Sequence, residues 1–289
     1  MFDKVESFYR PASVREALRL LQSGNGRARL VAGCTDVVVE ADRAIRCLID
    51  IRHAGLTYIR KKDGVCAIGA TTTMAGLEES AVIRGLAGGI LAKAAATCGS
   101  IQIRNMATIG GNLANASPAA DLAPPLLALE AVVVLAGPKG RRNMCLEEYL
   151  APKTARERRK SLLVEVLVPK TPGGKRCGWS FLKLGRTALD IALVNVAAGL
   201  ELDNAGQVRR ARIALGSVAP FAMRARAAEE LMVGRKLDRA LLAAAGAEAA
   251  RESRPISDVR ASADYRREMI GVFTGRALEE CAAQAGCSL

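Results

Sequence analysis

Two rhythms of apolar and polar positions run along this chain, one of helical and one of strand period. Ser13-Val14-Arg15-Glu16 has the spacing of a capping box, and Leu18, Leu20 and Leu21 follow on one face. The pattern predicts a helix to about Gln22, ended by Gly24-Asn25-Gly26. Residues 28–31 form a short apolar run that leads directly into Gly33-Cys34-Thr35-Asp36, and residues 44–51 predict a second strand ending near His53. Residues 58–68 read as a hairpin around Lys62-Asp63-Gly64. Thr71-Thr72-Thr73 precedes a helical stretch, and the alanine-rich residues 81–97 predict a further helix. Residues 99–115, which hold Gly110-Gly111, are expected to be a loop. Ser117-Pro118 supplies an N-cap followed by proline at the first helical position, so a helix is expected to start there, kept short or kinked by Pro124 and Pro125. Residues 132–136 and 162–168 are expected strands.

Around residues 169–175 the composition turns to Pro, Gly and Lys, which places a domain boundary there and divides the chain into 1–174 and 175–289. Beyond it, residues 179–184, 191–202 and 208–218 read as strands, with Asp203-Asn204-Ala205-Gly206 as a hairpin turn. Helices are expected over 223–233, 238–252 and 262–285. The C-terminal third is therefore a small antiparallel sheet backed by helices, and the chain as a whole reads as α+β. No internal repeat or low-complexity tract is evident.

Composition narrows the chemistry. Half of the 289 residues are hydrophobic but only 3% are aromatic, so aliphatic side chains must fill the cores. No stretch reaches the length needed to span a bilayer, the first residues lack the apolar core of a signal peptide, and a cytoplasmic location is the expectation. Eight cysteines are scattered without a C-x-x-C pair, and His53 is the lone histidine, so no metal site is expected within this chain. Redox chemistry would have to come from an organic cofactor. The net charge of +13 raises nucleic acid as a partner, but the basic runs at 156–160 and 209–212 have no interleaved aromatics for base stacking. They read as solvated surface or as a face for an acidic partner, with no nucleic acid expected.

Two glycine turns carry the candidate chemistry: Leu30-Val31-Ala32-Gly33-Cys34-Thr35-Asp36 and Ala107-Thr108-Ile109-Gly110-Gly111-Asn112. Glycine lets the backbone come close to a ligand and aim successive N–H groups at one anion, while Thr35, Thr108 and Asn112 add side-chain donors. Two such turns facing each other could clasp the two phosphates of a dinucleotide. Neither G-x-G-x-x-G nor G-x-x-x-x-G-K-[ST] is present, so spacing alone reaches only as far as a phosphate binder.

The first turn resembles the first flavin loop in the FAD subunits of molybdenum hydroxylases, the xanthine dehydrogenase and carbon monoxide dehydrogenase relatives. Gln102-Ile103-Arg104-Asn105, residues 107–112 and Ser117-Pro118-Ala119-Ala120-Asp121 together resemble the second loop and the following helix, and RTALDIALVNVAA (186–198) and ALGSVAPFAMRA (214–225) resemble the C-terminal domain. The likeness covers essentially the whole chain. It implies a two-part FAD-binding domain of the vanillyl-alcohol oxidase type (about 1–55 and 56–174), then a small C-terminal domain over 175–289. It implies FAD as cofactor, a small two-cluster 2Fe-2S subunit and a large molybdopterin subunit as partners, and a soluble electron acceptor. The acceptor could be a nicotinamide nucleotide, a quinone, a ferredoxin or oxygen. The organic substrate, xanthine or another N-heterocycle, would then react on the molybdenum subunit, and no catalytic acid, base or nucleophile is expected here.

Carried over by position, the resemblance puts Leu30, Val31, Ala32, Gly33, Cys34, Thr35 and Asp36 along the adenine-to-pyrophosphate stretch. Thr108, Gly110, Gly111 and Asn112 would hold the phosphates from the other side. Asn115, Ser117 and Asp121 would contact FAD farther along, with Cys98 and Gly99 beside the flavin and Leu163 and Lys183 near its ring. Cys34 departs from the glycine common at its position, and Cys98 from an apolar or aromatic residue. Asp36, Asp121 and Lys183 also admit a plainer role as caps or ion pairs. A standalone flavoenzyme with its own substrate pocket, or a basic scaffold without flavin, remain the other readings.

Overall fold

A computed structural model describes residues 4–170, 176–287 and 289; most of the expected boundary at 169–175 lies outside them. The chain forms two compact units, each discontinuous in sequence. One comprises Met1–Gly76, Ser100–Ala116 and Ala131–Pro169, the other Leu77–Gly99, Ser117–Glu130 and Lys170–Leu289.

The first unit holds two sheets. Strands β1 (Ser7–Tyr9), β2 (Ala28–Val31) and β3 (Cys47–Asp50) form a parallel sheet with β3 central, so all three carboxyl ends lie on one edge. Strands β4 (Ile59–Lys62), β5 (Val65–Gly69), β6 (Val132–Gly137), β7 (Gly140–Cys145) and β8 (Leu162–Val168) form an antiparallel sheet in the order β4-β5-β8-β6-β7. Ser13 caps the first helix as read, its Oγ accepting from Glu16 N, while Glu16 Oε2 accepts from Ala12 N, one residue before the cap; the helix runs Val14–Ser23. That helix buries Ala17 and Leu21 in one core with Ile49 of the small sheet, Ile51 just after it, and Val134, Ala136, Leu162 and Val164 of the large sheet, so a single core joins the two sheets. Asp63 and Gly64 take positive φ in the β4–β5 hairpin, as an Asp-Gly turn requires. Both edge strands carry exposed cations, Arg60, Lys61 and Lys62 on one and Arg141 and Arg142 on the other, which discourages pairing with another sheet.

In the second unit, β9 (Cys177–Leu184), β10 (Val194–Leu202), β11 (Val208–Gly216) and β12 (Met223–Arg224) form an antiparallel sheet, with β12 at one edge and β9 at the other. Helices Arg226–Met232, Arg239–Glu252 and Ala263–Gln284 bury their apolar positions on it. Close packing depends on Gly178, where a Cβ would fall 1.9 Å from the Cys281 carbonyl oxygen of the long helix. Ser262 and Asp238 cap their helices, which begin close to the expected bounds of 262 and 238.

Several expectations required correction. Residues 81–97 are not one helix: Ala87, Gly88 and Gly89 take positive φ and break the run into Ala81–Arg84, a 3-10 turn and Ile90–Ala96. Residues 99–115 are not a loop but two short helices, Ile101–Met106 and Ile109–Asn115, capped by Ser100 and Thr108. Ser117-Pro118 is a turn, with Ser117 Oγ accepting from Ala119 N, and the helix starts only at Ala123 with Pro124 and Pro125 in its first turn. Strands β1 and β7 had been passed over, and Met223–Arg224 pairs with β11 instead of starting a helix.

Candidate functional site

Because β2 is parallel to its neighbour, the turn that leaves its carboxyl end sits on the edge where ligands of such sheets bind. Leu30 and Val31 end the strand, and Ala32-Gly33-Cys34 makes the turn into the short helix Thr35–Glu40. Cys34 has φ 61°, a left-handed conformation that glycine adopts without strain and a cysteine does not. Burial and the nearby Asp50 push the Cys34 thiol up, against the pull of Arg52. Asp36 is exposed in the first turn of the helix. Among the described residues, the N–H groups of Gly33 and Cys34 have no acceptor.

The second turn lies against the first. A Cβ on Gly33 would fall 1.8 Å from the Met106 carbonyl oxygen and 3.0 Å from Ala107 Cα, so the two segments touch backbone to backbone immediately before Thr108. Thr108 bridges to Thr73, Ile109 N donates to Thr72 O (3.0 Å), and Gly110 N to Ala70 O (2.9 Å). Gly110 must lack a side chain, since a Cβ would come 2.6 Å from that same Ala70 oxygen. Gly111 is different. It is exposed, a Cβ there would meet only Thr108 Oγ1 at 3.1 Å, and its N–H donates to that hydroxyl. Asn112 N donates to Thr108 O, while Asn112 Oδ1 is buried without a partner among the described residues. The backbone donors of this second turn therefore already have acceptors in the protein. What opens outward is the face at Gly111; the Thr108 hydroxyl is buried and accepts from Gly111 N, and the Asn112 side chain is half-buried. Asn115 is half-buried at the end of the same helix, and Leu163 is buried on β8 in this unit.

In the second unit the sequence-selected residues form a buried polar cluster. Lys183 Nζ donates to Asp121 Oδ2 (2.7 Å) and to Thr97 O (2.8 Å), the residue before Cys98 and Gly99. Both side chains of the ion pair are 7% exposed, so this is a buried bridge, not a surface one. Asn195 Nδ2 donates to the other Asp121 oxygen (3.0 Å). Burial pushes the Asp121 carboxyl up, and Lys183 and then Asn195 pull it back. Asn195 sits directly opposite Lys183 on β10, and Gly216 across from it leaves room for its amide. Ser117 and half-buried Cys98 belong to this unit as well.

Sequence reasoning missed three of these residues. Asn195 interrupts the apolar run ALVNVAA, and Asp50 ends another; a lone polar residue inside such a run was the available signal. Arg52, two residues after Asp50, gave no signal at all. Asp50 is 1% exposed and accepts from Arg52 Nε at 2.9 Å and Nη2 at 2.7 Å, and from Arg52 N at 3.1 Å. Burial opposes its charge, but the Arg52 hydrogen bonds prevail and hold the carboxyl below the usual range.

The turn geometry suits a dinucleotide cofactor: open amides on one turn, a side-chain-free face and an orphaned amide oxygen on its neighbour, on the carboxyl edge of a parallel sheet. Comparison with known proteins identifies the class. Residues 2–171 match the FAD binding domain in molybdopterin dehydrogenase, and residues 179–281 the CO dehydrogenase flavoprotein C-terminal domain. The chain belongs to this family of FAD-binding oxidoreductase subunits, and FAD is its cofactor. It is 32% identical to the xanthine dehydrogenase FAD-binding subunit of Escherichia coli O157:H7, over 100% of both chains. It is 37% identical to the 6-hydroxypseudooxynicotine dehydrogenase complex subunit alpha of Paenarthrobacter nicotinovorans, over 92% of this chain and 90% of that one. A solved structure of carbon monoxide dehydrogenase from Hydrogenophaga pseudoflava superposes with a TM-score of 0.92 at 32% identity, over 100% of both chains. The two-part flavin domain and the helix-backed antiparallel sheet of the sequence reading are thus the fold of this family. No helix among the described residues is long and apolar enough to cross a membrane.

Proposed function

We propose that this chain is the electron-relay subunit of a three-part molybdenum hydroxylase. A 2Fe-2S partner would deliver electrons to its FAD, an external acceptor such as NAD would remove them, and the substrate would react on a molybdopterin partner. The observation that carries this reading is full-length likeness, at similar identity, to subunits named for xanthine, a nicotine derivative and carbon monoxide. Near-equal likeness across such different names suits a chain that does not itself select the substrate. An N-heterocycle such as xanthine remains our choice of substrate. The linear division of the chain at about residue 174 and a cytoplasmic location complete the proposal.

Bound FAD supplies the chemistry, accepting electrons and passing them on. The chain's own residues orient it. In this reading the Gly33 and Cys34 amides, flanked by Leu30, Val31, Ala32 and Thr35, meet the diphosphate, and Asp36 can accept from a ribose hydroxyl. Thr108, Gly111 and Asn112 close over the phosphates while Gly110 keeps their helix seated, with Asn115, Ser117, Cys98, Gly99 and Leu163 lining the remainder. Lys183 would face the ring, but its charge is offset by Asp121, so the pair presents an oriented dipole in place of a bare cation.

Purification of the native assembly from its source tests the proposal. Flavin, iron–sulfur and molybdenum signals in one stable particle are expected. A lone chain that oxidises a small molecule without partners would instead establish a standalone flavoenzyme.

A further inference from the structure

The edge that carries the first turn has a feature that the flavin reading leaves unused. β1, β2 and β3 are parallel, so the residues that follow them emerge together: Arg10 after β1, Gly33 and Cys34 after β2, and Arg52 after β3. Asp50 lies between them, directly opposite Val31 in the strand register. It is almost wholly buried, yet it holds a guanidinium that is 46% exposed by two parallel hydrogen bonds, with Arg10 Nε at 3.9 Å on the same oxygen. Burying a carboxylate is costly, and here it fixes a half-exposed arginine through Nε and Nη2, with Nη1 taking no part in the pair. With Val31 opposite Asp50, the turn at Gly33 and Cys34 and the residue Arg52 follow neighbouring parallel strands two to three residues past that pair, on the same edge. A planar cation fixed in direction, next to two unpartnered N–H groups at the carboxyl edge of a parallel sheet, is an arrangement suited to a phosphate.

We propose that Arg52, oriented by Asp50, is a diphosphate-binding residue of this chain and engages the adenosine diphosphate half of FAD. The assignment rests on the reading that the first turn meets the diphosphate, and it adds a side chain to what is otherwise backbone recognition. Asp50 is the positioning residue: it touches no ligand and acts by holding the fork of Arg52 in place.

The test compares three probes on the full chain stripped of flavin: FAD, ADP and FMN. Arg52→Ala is expected to weaken FAD and ADP about tenfold each, close to 1.4 kcal/mol, and to leave FMN unchanged, with a lower melting temperature from the loss of the Asp50 partner. The dependence of FAD affinity on salt should become shallower by about one phosphate contact. Arg52→Lys, which keeps the charge and loses the fork, should fall between. Equal losses for all three probes would mean that the pair only braces the turn, and would overturn the proposal. So would unchanged ADP affinity in Arg52→Ala when Gly33→Val abolishes it. If neither variant weakens ADP, the assignment of the first turn itself fails, and Arg52 with it.

Discussion

The two turns of the first unit contain glycine for unlike reasons. At the first, Gly33 has its Cα against the Met106 carbonyl, while the neighbouring amides are left open. At the second, the amides of residues 109–112 are all spent on protein acceptors, Gly110 is walled in by Ala70, and only Gly111 opens outward. A glycine-rich sequence therefore does not say whether glycine frees the backbone for a ligand or lets two parts of the fold meet. Gly33 and Gly110 serve the second purpose and Gly111 the first. The donors of the site come from the turn whose glycine is structural.

That contrast can be broken by substitution. The largest effect is expected for Gly33→Val: with backbone 1.8 Å from the added carbon, relief requires the two segments to separate, at roughly 3 kcal/mol. Thermal unfolding should show the loss together with loss of bound flavin, and a variant as stable as the parent would mean that the contact is soft. Gly111→Ala and Asn112→Ala should do the reverse. The first can gain up to about 1 kcal/mol of helix stability, and the second removes a buried acceptor that has no partner. Each should weaken FAD about tenfold, roughly 1.4 kcal/mol, in a flavin-fluorescence titration. Full retention in both would remove the second turn from the site. The smallest effect concerns pH. Because Arg52 holds the Asp50 carboxyl below its ordinary value, the stability this provides is complete above pH ~4 and fades as pH falls through the lower folded value. Asp50→Asn should flatten that acid limb in denaturant titrations run from pH 5 downward, and an unaltered limb would show that the pairing contributes nothing to stability.

Most of the fold was legible, for identifiable reasons. The capping side chain of Ser13 marked the first helix start, and the strand rhythm of residues 162–168 located β8. What escaped were elements set by backbone conformation or by neighbours. Three consecutive positive φ values at 87–89 break a run whose alanines favour a helix, and β7 is an edge strand of mostly exposed residues with no apolar alternation to betray it. The short helix Ile109–Asn115 hid behind Gly110-Gly111, a pair that reads as a turn although Gly110 serves packing. Most of the proposed site lay within recognisable motifs. Asp50, Arg52 and Asn195 did not, since partnership across strands and turns leaves little trace in local sequence.

The chain passes between its two units five times, after Gly76, Gly99, Ala116, Glu130 and Pro169. During translation, the first unit cannot close until β8, the strand between β5 and β6, leaves the ribosome. By then residues 77–99 and 117–130 have emerged with their apolar faces uncovered, and their own sheet is not yet made. Neither unit can be cut out as a contiguous fragment. The nascent chain must instead shelter those two segments until its last third arrives, a period in which chaperones have most to offer it.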